Sequence, residues 1–290
     1  MDCYKVFVWN VRGLNSSARQ SVVCKLVRDN HISVVCIQES KVVAVSAQLI
    51  LDTCWSRFRN FLSVPSDGAS GGMIIAWDED MVEIDAVSLN PHFMVVSCSS
   101  RLNGSKWCLC NVYGPANGTA EKLAFLADLK AAVAQVVSPL AIMGDFNLIA
   151  EATDKNNTNM NRGLMLAFRS FMNDLSLKDL YLHGRRFTWS NEQLVATQCR
   201  LDRVLYNSDW HDMFPKAMLQ AITSSASDHA PLVLSLDADF QSHRRFRFET
   251  FWARRPDFLD QVKLAWDAAP SHSNAFINLH TKLQSTARAL

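Results

Sequence analysis

The segment AIMGDFNLIA, residues 141–150, places a carboxylate and an amide two positions apart at the end of an apolar run. Alternate residues of an extended chain project from the same face, so Asp145 and Asn147 are expected to point together at the end of a strand. An Asx turn that closes a strand is the alternative interpretation. The other polar residues of the chain distinguish between the two.

Several further apolar segments end in, or are interrupted by, side chains that can do chemistry. They are Asn10 in VWNVRG, Glu39 in CIQES, Tyr113 in NVYGP, Asp202 in CRLDRV, and Asp228 and His229 in SDHAPLVL. Singly, the first two could form turns, Asp202 could pair with a neighbouring arginine, and His229 could be a buried structural histidine. Loops that leave a rigid sheet edge are, however, where catalytic groups tend to lie.

Taken together, these residues favour hydrolysis of a phosphodiester. Carboxylate and amide oxygens are ligands that suit Mg²⁺ or Mn²⁺. A His–Asp pair with a separate aspartate suits the activation of water beside a metal-bound phosphate. The sequence contains no P-loop and no GxGxxG motif, so nucleotide-binding folds of those kinds are not indicated.

Composition limits the class of protein. The 290 residues carry a formal net charge of +1, so a nucleic-acid ligand must be argued from local patches and not from an overall field. The eight cysteines are scattered without a CxxC pair, which favours buried thiols in a reducing compartment over a zinc site or disulfides. No signal peptide or bilayer-spanning segment is recognisable. We therefore expect a soluble intracellular protein, in the nucleus or the cytoplasm, with no membrane partner.

Short runs of β-branched and aromatic residues alternate with amphipathic segments. Strands are predicted at residues 4–11, 32–40, 58–64, 71–77, 93–99, 106–113 and 231–236, and helices at 16–29, 119–137 and 162–175. Many strands with a few interspersed helices are typical of an α/β or α+β domain with at least one large sheet.

The composition changes after about residue 240. Residues 243–255 place five arginines among aromatic side chains, and helices are predicted at 256–267 and 273–289. We therefore predict one domain over residues 1–240 and a mostly helical, arginine- and aromatic-rich extension over residues 241–290.

The ordered set of Asn10, Glu39, Tyr113, GDFN at 144–147, Asp202 and SDH at 227–229 resembles the endonuclease/exonuclease/phosphatase superfamily, which includes DNase I and AP endonucleases of the exonuclease III type. The surrounding segments WNVRGLN, IQES, NVYGP, GRRFTWSN, RLDRVLYNSDW and FRFETFW resemble the endonuclease domain of plant LINE-type non-LTR retrotransposons more closely. The resemblance implies a DNase I-like fold, in which two packed β-sheets are flanked by helices and the site lies at one edge.

The resemblance also implies a role for each matching residue. Glu39, helped by Asn10 and Asp228, would hold Mg²⁺, or alternatively Mn²⁺, against a phosphate oxygen. Asp145 would orient and deprotonate the attacking water, and Asn147 would fix its geometry.

On the same resemblance, His229 would be held in one tautomer by Asp202 and would hydrogen-bond to the phosphate, while Tyr113 would contact the phosphate from the other side. Three more residues are expected to bind the substrate or, for the first two, to support the histidine loop: Thr188, Ser227 and Arg162. For Arg162, a solvated surface loop is the alternative.

The function implied is a metal-dependent endonuclease that nicks DNA to leave 5′-phosphate and 3′-hydroxyl ends. DNA would be the partner, and the chain would be a monomer. A reverse transcriptase could act in trans, because no reverse-transcriptase segment follows residue 290. One alternative is a sibling phosphoesterase that acts on abasic sites or small phosphate esters. The other is a retroelement relic that binds DNA or protein without turnover.

The arginine-rich residues 243–255 are expected to add salt-sensitive affinity for DNA. Deletion of residues 241–290 should therefore reduce the slope of log Kd against log salt concentration in fluorescence-anisotropy titrations. An unchanged slope would support the alternative, in which the extension only packs on the domain.

Overall fold

The computed structural model describes residues 4–68, 70–136, 138–193, 195–238, 257–271 and 273–289. The chain divides into two compact units, residues 1–238 and 239–290. The arginine-rich segment at 243–255 lies outside the described residues. In the second unit, the predicted helices are present as a packed pair in which Lys282 donates a hydrogen bond to the carbonyl oxygen of Trp266 (3.0 Å) and lies over its ring.

Across the described residues, the strands in chain order are β1 (Lys5–Asn10), β2 (Val34–Gln38), β3 (Phe58–Asp67), β4 (Ser70–Asp78), β5 (Val82–Asn90), β6 (Phe93–Ser100), β7 (Lys106–Tyr113), β8 (Leu140–Asp145), β9 (Lys178–Asp179), β10 (Leu182–His183), β11 (Trp189–Ser190), β12 (Gln198–Cys199), β13 (Asp202–Tyr206), β14 (Met218–Ala221) and β15 (Leu232–Ser235). The helices are α1 (Ser17–Asp29), α2 (Ala47–Cys54), α3 (Thr119–Val133), α4 (Arg162–Asp174), α5 (Ser208–Met213), α6 (Phe258–Asp267) and α7 (Ala275–Ala289).

Two mixed sheets form the first unit. One sheet has seven strands in the order β10-β14-β15-β1-β2-β4-β3, and the other has six in the order β5-β6-β7-β8-β13-β9. In each sheet a parallel pair lies near the centre, β1 with β2 and β7 with β8. The other pairs are antiparallel, except for β10 and β14, which are parallel at one edge of the seven-stranded sheet. Strands β11 and β12 form a separate hairpin.

The alternation of side chains along the central strands explains the layers. On β1, Val6 and Val8 join the core between the two sheets, while Phe7 and Trp9 pack on the opposite face against α1 and α2. Helices α3 and α4 cover the outer face of the six-stranded sheet, with Phe168 of α4 fully buried. The predicted two-sheet sandwich flanked by helices is confirmed.

Sequence periodicity predicted the buried elements better than the exposed ones. Helices α1, α3 and α4 match their predicted segments, although α3 ends at Val133 and not near residue 137. The elements that were not predicted are β5, β9, β10, β11, β12, β14, α2 and α5. Strand β5 pairs only with β6, and its polar residues reduce the apolar signal, while α2 is only eight residues long.

Seven cysteines lie in the described part of the chain, all of them free and six of them buried. Among the helices described, none is long and apolar enough to cross a bilayer.

A buried arginine joins three elements next to the site. The guanidinium of Arg203, 1% exposed, forms ion pairs with Asp154 and Asp179, and Arg200 adds a second contact to Asp179 at 2.8 Å. These contacts link β13 to β9 and to the 3₁₀ turn Ala152–Asp154. Strand β13 is therefore fixed by charge as well as by its backbone.

Replacement of this arginine tests that contribution. Arg203→Met removes the cation, so Asp154 loses its ion-pair partner and Asp179 keeps only Arg200. We therefore expect a loss of about 3–5 kcal/mol in the free energy of unfolding. Urea unfolding monitored by circular dichroism measures it. The matched control is Lys130→Ala, which breaks the exposed pair with Asp174 and should cost roughly 0–1 kcal/mol. Equal losses in the two variants would contradict the interpretation.

Candidate active site

Strand register brings three predicted residues to one end of the six-stranded sheet. Asp145, the last residue of β8, lies opposite Tyr113 of the parallel strand β7 and opposite Asp202 of the antiparallel strand β13. Directly opposed residues on neighbouring strands have their Cβ atoms about 5 Å apart. The buried carboxylates of Asp145 and Asp202 therefore lie side by side.

The other sheet contributes residues from its facing strand ends. Asn10 ends β1, and Glu39 follows the end of β2. The two sheets are joined beneath the site by a buried amide pair, in which Nε2 of Gln38 donates to Oδ1 of Asn111 at 2.5 Å. The site thus forms where the ends of four central strands meet.

Two glycines allow β7 and β8 to end this close together. At Gly144, where φ is +133°, a Cβ atom would lie 2.2 Å from the carbonyl oxygen of Val112. At Gly114, a Cβ would lie 2.3 Å from the carbonyl oxygen of Phe146. The glycines of the GDFN and YGP segments are therefore required by close backbone approach.

The carboxylate of Asp145 is buried and is held by two amide side chains. Its Oδ2 accepts hydrogen bonds from Nδ2 of Asn10 (2.9 Å) and Nδ2 of Asn147 (3.2 Å), and its Oδ1 accepts the Asn147 N–H (2.9 Å). Burial raises the pKa of Asp145 to about 6, although the nearby His229 and these amides oppose the rise. A fixed carboxylate that ionises near neutral pH suits a general base.

His229 lies between the two aspartates and is 5% exposed. Its Nδ1 donates to Oδ2 of Asp202 at 2.9 Å, and its Nε2 lies 3.8 Å from Oδ2 of Asp145. Burial opposes the charged imidazole, but the carboxylates of Asp202 and Asp145 outweigh it and raise the pKa of His229 to about 9. The imidazole is therefore a cation at neutral pH. Because 3.8 Å is too long for a hydrogen bond, a water or a phosphate oxygen can bind between Nε2 and Asp145.

Ser227 makes two hydrogen bonds within the histidine loop and to β1, and its role in substrate binding stays a prediction. Its hydroxyl donates to the carbonyl oxygen of Asn10 (2.8 Å) and accepts the N–H of His229 (3.2 Å). The indole of Trp9 also donates to the carbonyl oxygen of His229 at 2.9 Å. Residues of β1 therefore hold His229 in place.

Thr188 contacts the histidine loop, because its carbonyl oxygen accepts the N–H of Ala230 at 2.7 Å, and its role in substrate binding stays a prediction. Thr188 is 1% exposed, and its hydroxyl oxygen accepts the N–H groups of Leu201 and Asp202 at 3.0 Å each. These two hydrogen bonds fix the start of β13. Arg162 is the first residue of α4, is exposed, and makes none of the hydrogen bonds of the cluster. Its role stays a prediction.

Tyr113 connects the residues of the two sheets. Burial, followed by the charges of the neighbouring Glu39 and Asp145, raises the pKa of the Tyr113 hydroxyl well above its usual value. The phenol is therefore a neutral donor. Glu39 also pairs with Lys41, whose Nζ lies 3.1 Å from Oε1.

Asp228 is occupied by two donors of the chain. Its Oδ2 accepts hydrogen bonds from Nη1 of Arg12 at 2.5 Å and from the indole of Trp189 at 2.8 Å. The carboxylate thus takes part in an ion pair with Arg12, and its role as a metal ligand stays a prediction.

A divalent cation fits the oxygen donors at this end of the sandwich. Two sets of residues can be compared. Asp145, Asp202 and His229 place one ligand atom each within 4.8 Å of one another, but a doubly protonated imidazole cannot be a ligand. Glu39, with the amide oxygen of Asn10 and the carboxylate of Asp145 close by, offers the hard oxygens that Mg²⁺ prefers. We favour the second set, because the carboxylates of Asp202 and Asp145 keep His229 protonated in spite of its burial.

Three residues around the site were missed from the sequence: Arg12, Lys122 and Trp189. Arg12 lies two positions beyond Asn10, the same spacing as between Asp145 and Asn147, and this was the available signal. Lys122 of α3 donates to the carbonyl oxygen of Asn147 at 2.6 Å, and nothing in the helical pattern indicated it.

The sequence also contains GASGG at residues 68–72, which matches the GxSxG spacing of a nucleophilic serine. Ser70 begins β4 after the β3–β4 turn, and its hydroxyl donates to the carbonyl oxygen of Asp67 at 3.2 Å. It does not stand on a strand-to-helix turn, so the match carries no catalytic meaning.

A cavity of about 310 Å³ adjoins the site at Asp228. It is lined by Arg185, Arg186, Phe187, Thr188, Trp189, Ser190, Gln198 and Asp228. Arg186 donates to the carbonyl oxygen of Thr153 and lies over the ring of Phe187. The cavity combines cationic and aromatic side chains next to the cluster.

A sequence model of the endonuclease/exonuclease/phosphatase family matches residues 7–229. The chain belongs to this family. Its members are metal-dependent hydrolases of phosphate esters, which fits a fixed carboxylate base beside a histidine cation and hard oxygen donors. The comparison with curated protein sequences found no match.

Solved structures with the same fold include several kinds of family member. The AP endonuclease LMAP of Leishmania major is 14% identical, with 82% of this chain and 88% of that chain covered and a TM-score of 0.67. The endonuclease domain of TRAS1, a telomere-specific non-LTR retrotransposon, is 17% identical, with 81% and 99% covered and a TM-score of 0.58. A mannosyl-6-phosphatase of Bacteroides thetaiotaomicron is 15% identical, with 80% and 98% covered and a TM-score of 0.57. At these identities the likeness establishes the fold alone.

The charge of His229 can be tested without any substrate. Because Asp202 and Asp145 raise the pKa of His229 from 6.5 to about 9, the stability from this proton is fully present below pH 6.5 and is lost as the pH rises through 9. In Asp202→Asn the pKa of His229 should fall toward 6.5, measured from imidazole NMR resonances in EDTA. Asp174→Asn, an exposed control, should leave it unchanged. A wild-type His229 that titrates near 6.5 would contradict the assignment.

Proposed function

We propose that the chain is a Mg²⁺-dependent endonuclease that nicks DNA and leaves 5′-phosphate and 3′-hydroxyl ends. The observation that carries the proposal is the buried cluster in which His229, paired with Asp202, faces the amide-held carboxylate of Asp145 across 3.8 Å. That gap has a proton acceptor on one side and a cationic donor on the other.

The residues divide the reaction between them. Asp145 accepts a proton from a water in the gap, Asn147 and Asn10 fix the orientation of that carboxylate, and the water oxygen attacks phosphorus in line with the bond to the 3′ oxygen. That bond breaks, and the 3′ oxygen leaves and takes up a proton from solvent. A divalent cation at Glu39 and Asn10 would supply positive charge to a non-bridging phosphate oxygen.

His229 and Tyr113 act on the phosphate and not on the water. The imidazolium donates from Nε2 to a non-bridging oxygen, where negative charge increases in the transition state. The neutral phenol of Tyr113 donates from the opposite side. Asp202 keeps the imidazole oriented and charged, because it accepts a hydrogen bond from Nδ1 at 2.9 Å.

The surroundings of the cluster support a polynucleotide substrate. Arg185 and Arg186 line the adjoining cavity together with Trp189, and cationic and aromatic side chains together suit phosphates and bases beyond the reacting bond. A small phosphate ester would occupy the cluster and leave that cavity without a ligand. A reverse transcriptase acting in trans would be able to extend the 3′-hydroxyl. The chain would act as a monomer, in the nucleus or the cytoplasm.

Supercoiled plasmid tests the proposal. With Mg²⁺ the chain should convert it to the open circle, and EDTA should abolish the conversion. Asp145→Ala and His229→Ala should each lower the rate by about 10²–10⁴-fold, because each removes one partner in proton transfer or charge stabilisation. Asp174→Ala, on the exposed surface of α4, is the control and should nick normally. Nicks with 3′-hydroxyl and 5′-phosphate ends are sealed directly by DNA ligase.

Other outcomes would support the alternatives. Hydrolysis of small phosphate esters without nicking would indicate a sibling phosphatase. Nicking confined to plasmid with abasic sites would indicate an AP endonuclease. Tight DNA binding with no nicking in either Mg²⁺ or Mn²⁺ would indicate a non-catalytic relic.

A further inference from the structure

Arg12 lies two residues beyond Asn10 in the loop that leaves β1, and its backbone is held in an uncommon conformation. Its φ is +51°, in the left-handed region that non-glycine residues rarely adopt. Its N–H donates to Oδ1 of Asn10 at 3.1 Å. Nη1 of Arg19 contacts three successive carbonyl oxygens of this loop, those of Val11, Arg12 and Gly13, at 3.2, 2.7 and 3.2 Å. Such strain is concentrated at functional sites, where the surrounding structure enforces it.

The guanidinium of Arg12 has one fixed side and one exposed side. Nη1 lies 2.5 Å from Oδ2 of Asp228, whose side chain is 7% exposed, whereas the side chain of Arg12 is 52% exposed. The same carboxylate oxygen accepts the indole N–H of Trp189 at 2.8 Å. Among the hydrogen bonds of the described residues, this contact uses one of the five N–H donors of the guanidinium. The others can bind an anion that arrives from solvent.

Arg12 is separated from the reaction centre by a single side chain. The amide of Asn10 accepts the Arg12 N–H on its oxygen and donates to Oδ2 of Asp145 from its nitrogen. The charge of Arg12 also opposes the rise in the pKa of the Tyr113 hydroxyl, which places the guanidinium within electrostatic range of that phenol.

An ordinary surface ion pair does not explain this arrangement. Exposed pairs gain little stability, and they do not need a strained backbone or a second donor to hold the carboxylate. Here Asp228 is nearly buried and is fixed by Trp189, so the carboxylate is a rigid anchor for a cation that stays accessible. A DNA backbone that approaches Asp145 also needs cations at this edge, where four acidic residues lie: Glu39, Asp145, Asp202 and Asp228.

We propose that Arg12 is a phosphate-binding residue of this site, and that Asp228, held by Trp189, is the positioning residue that directs its guanidinium toward the DNA backbone at the cleaved bond. This rests on the proposed function, because it takes the ligand to be a phosphodiester. The planar guanidinium offers two parallel N–H groups to the non-bridging oxygens of one phosphate.

DNA binding in EDTA tests the assignment with cleavage switched off. Fluorescence anisotropy with a labelled duplex compares the wild type with Arg12→Ala, Arg12→Gln, Arg12→Lys and the exposed control Arg28→Ala. Arg12→Ala and Arg12→Gln should bind about tenfold more weakly at low salt, and their slope of log Kd against log salt concentration should fall by about 0.9. Arg12→Lys should keep the slope. Arg28→Ala should match the wild type.

A phosphate-neutralisation series identifies the contact. Each duplex carries one methylphosphonate, either at the mapped nick or at a neighbouring position. This substitution removes the negative charge of a single phosphate. At the contacted position the wild type should lose about tenfold in affinity, while Arg12→Ala loses nothing further, because the partner is already absent. Additive losses at every position would overturn the proposal, as would an unchanged salt slope in Arg12→Ala and Arg12→Gln.

The same preparations separate this inference from the proposed function. Absence of nicking by the wild type in Mg²⁺ would contradict the endonuclease activity. The salt-slope comparison in EDTA would still decide whether Arg12 binds phosphate. Thermal unfolding of each variant checks that it is folded, and Arg12→Gln preserves side-chain length where Arg12→Ala does not.

Discussion

The single positive charge of one imidazole stabilises two buried carboxylates, and the other residues of the site supply the hydrogen bonds that the second carboxylate needs. Asp145 and Asp202 are almost completely excluded from solvent, and His229 lies between them. Removal of a charge from water is costly unless hydrogen bonds replace the lost hydration. The amides of Asn10 and Asn147 supply them to Asp145. At Asp202 the Oδ1 atom is buried without a partner, so the charge of His229 is what stabilises this residue.

The need for those hydrogen bonds explains why the strand ends carry polar residues at all. The central strands are largely apolar before they reach the end of the sandwich, where their polar residues supply donors or acceptors to the cluster and Gln38 pairs with Asn111 beneath it. The left-handed conformations of Arg12, Glu39 and Asn147 have the same origin, since each turns the chain sharply at a strand end. The rigid core therefore fixes the geometry, and the loops supply the chemistry.

Much of this arrangement could be predicted from the sequence because its signals are local. The two-residue spacing of Asp145 and Asn147, and the apolar runs that precede Asn10 and Glu39, are visible in short windows. The pairing of Asp202 with His229 rested on the family resemblance, since the residues themselves allowed an arginine partner. In the structure, Arg200 and Arg203 pair with Asp154 and Asp179 instead.

The features that the sequence did not indicate depend on distant contacts. The family resemblance placed Thr188 near the site, but its burial and its hydrogen bonds with Leu201 and Asp202 follow from how the hairpin packs over β13. Asp228 was expected among the metal donors, and its pairing with Arg12 joins residues 216 positions apart. Exposure and long-range pairing are properties of the folded chain that neither periodicity nor motif spacing contains.

The register of β8 against β13 has a consequence for how such a protein can change. Asp145 faces Asp202 only because five successive residues of each strand are paired, from Asp202 with Asp145 to Tyr206 with Ala141. A single inserted or deleted residue in either strand would turn one carboxylate to the opposite face of the sheet. Insertions and deletions should therefore be tolerated in the surface loops that join these strands, whereas selection should remove those that fall within the strands. The backbone hydrogen bonds between β8 and β13 thus fix the positions of Asp145 and Asp202 relative to each other.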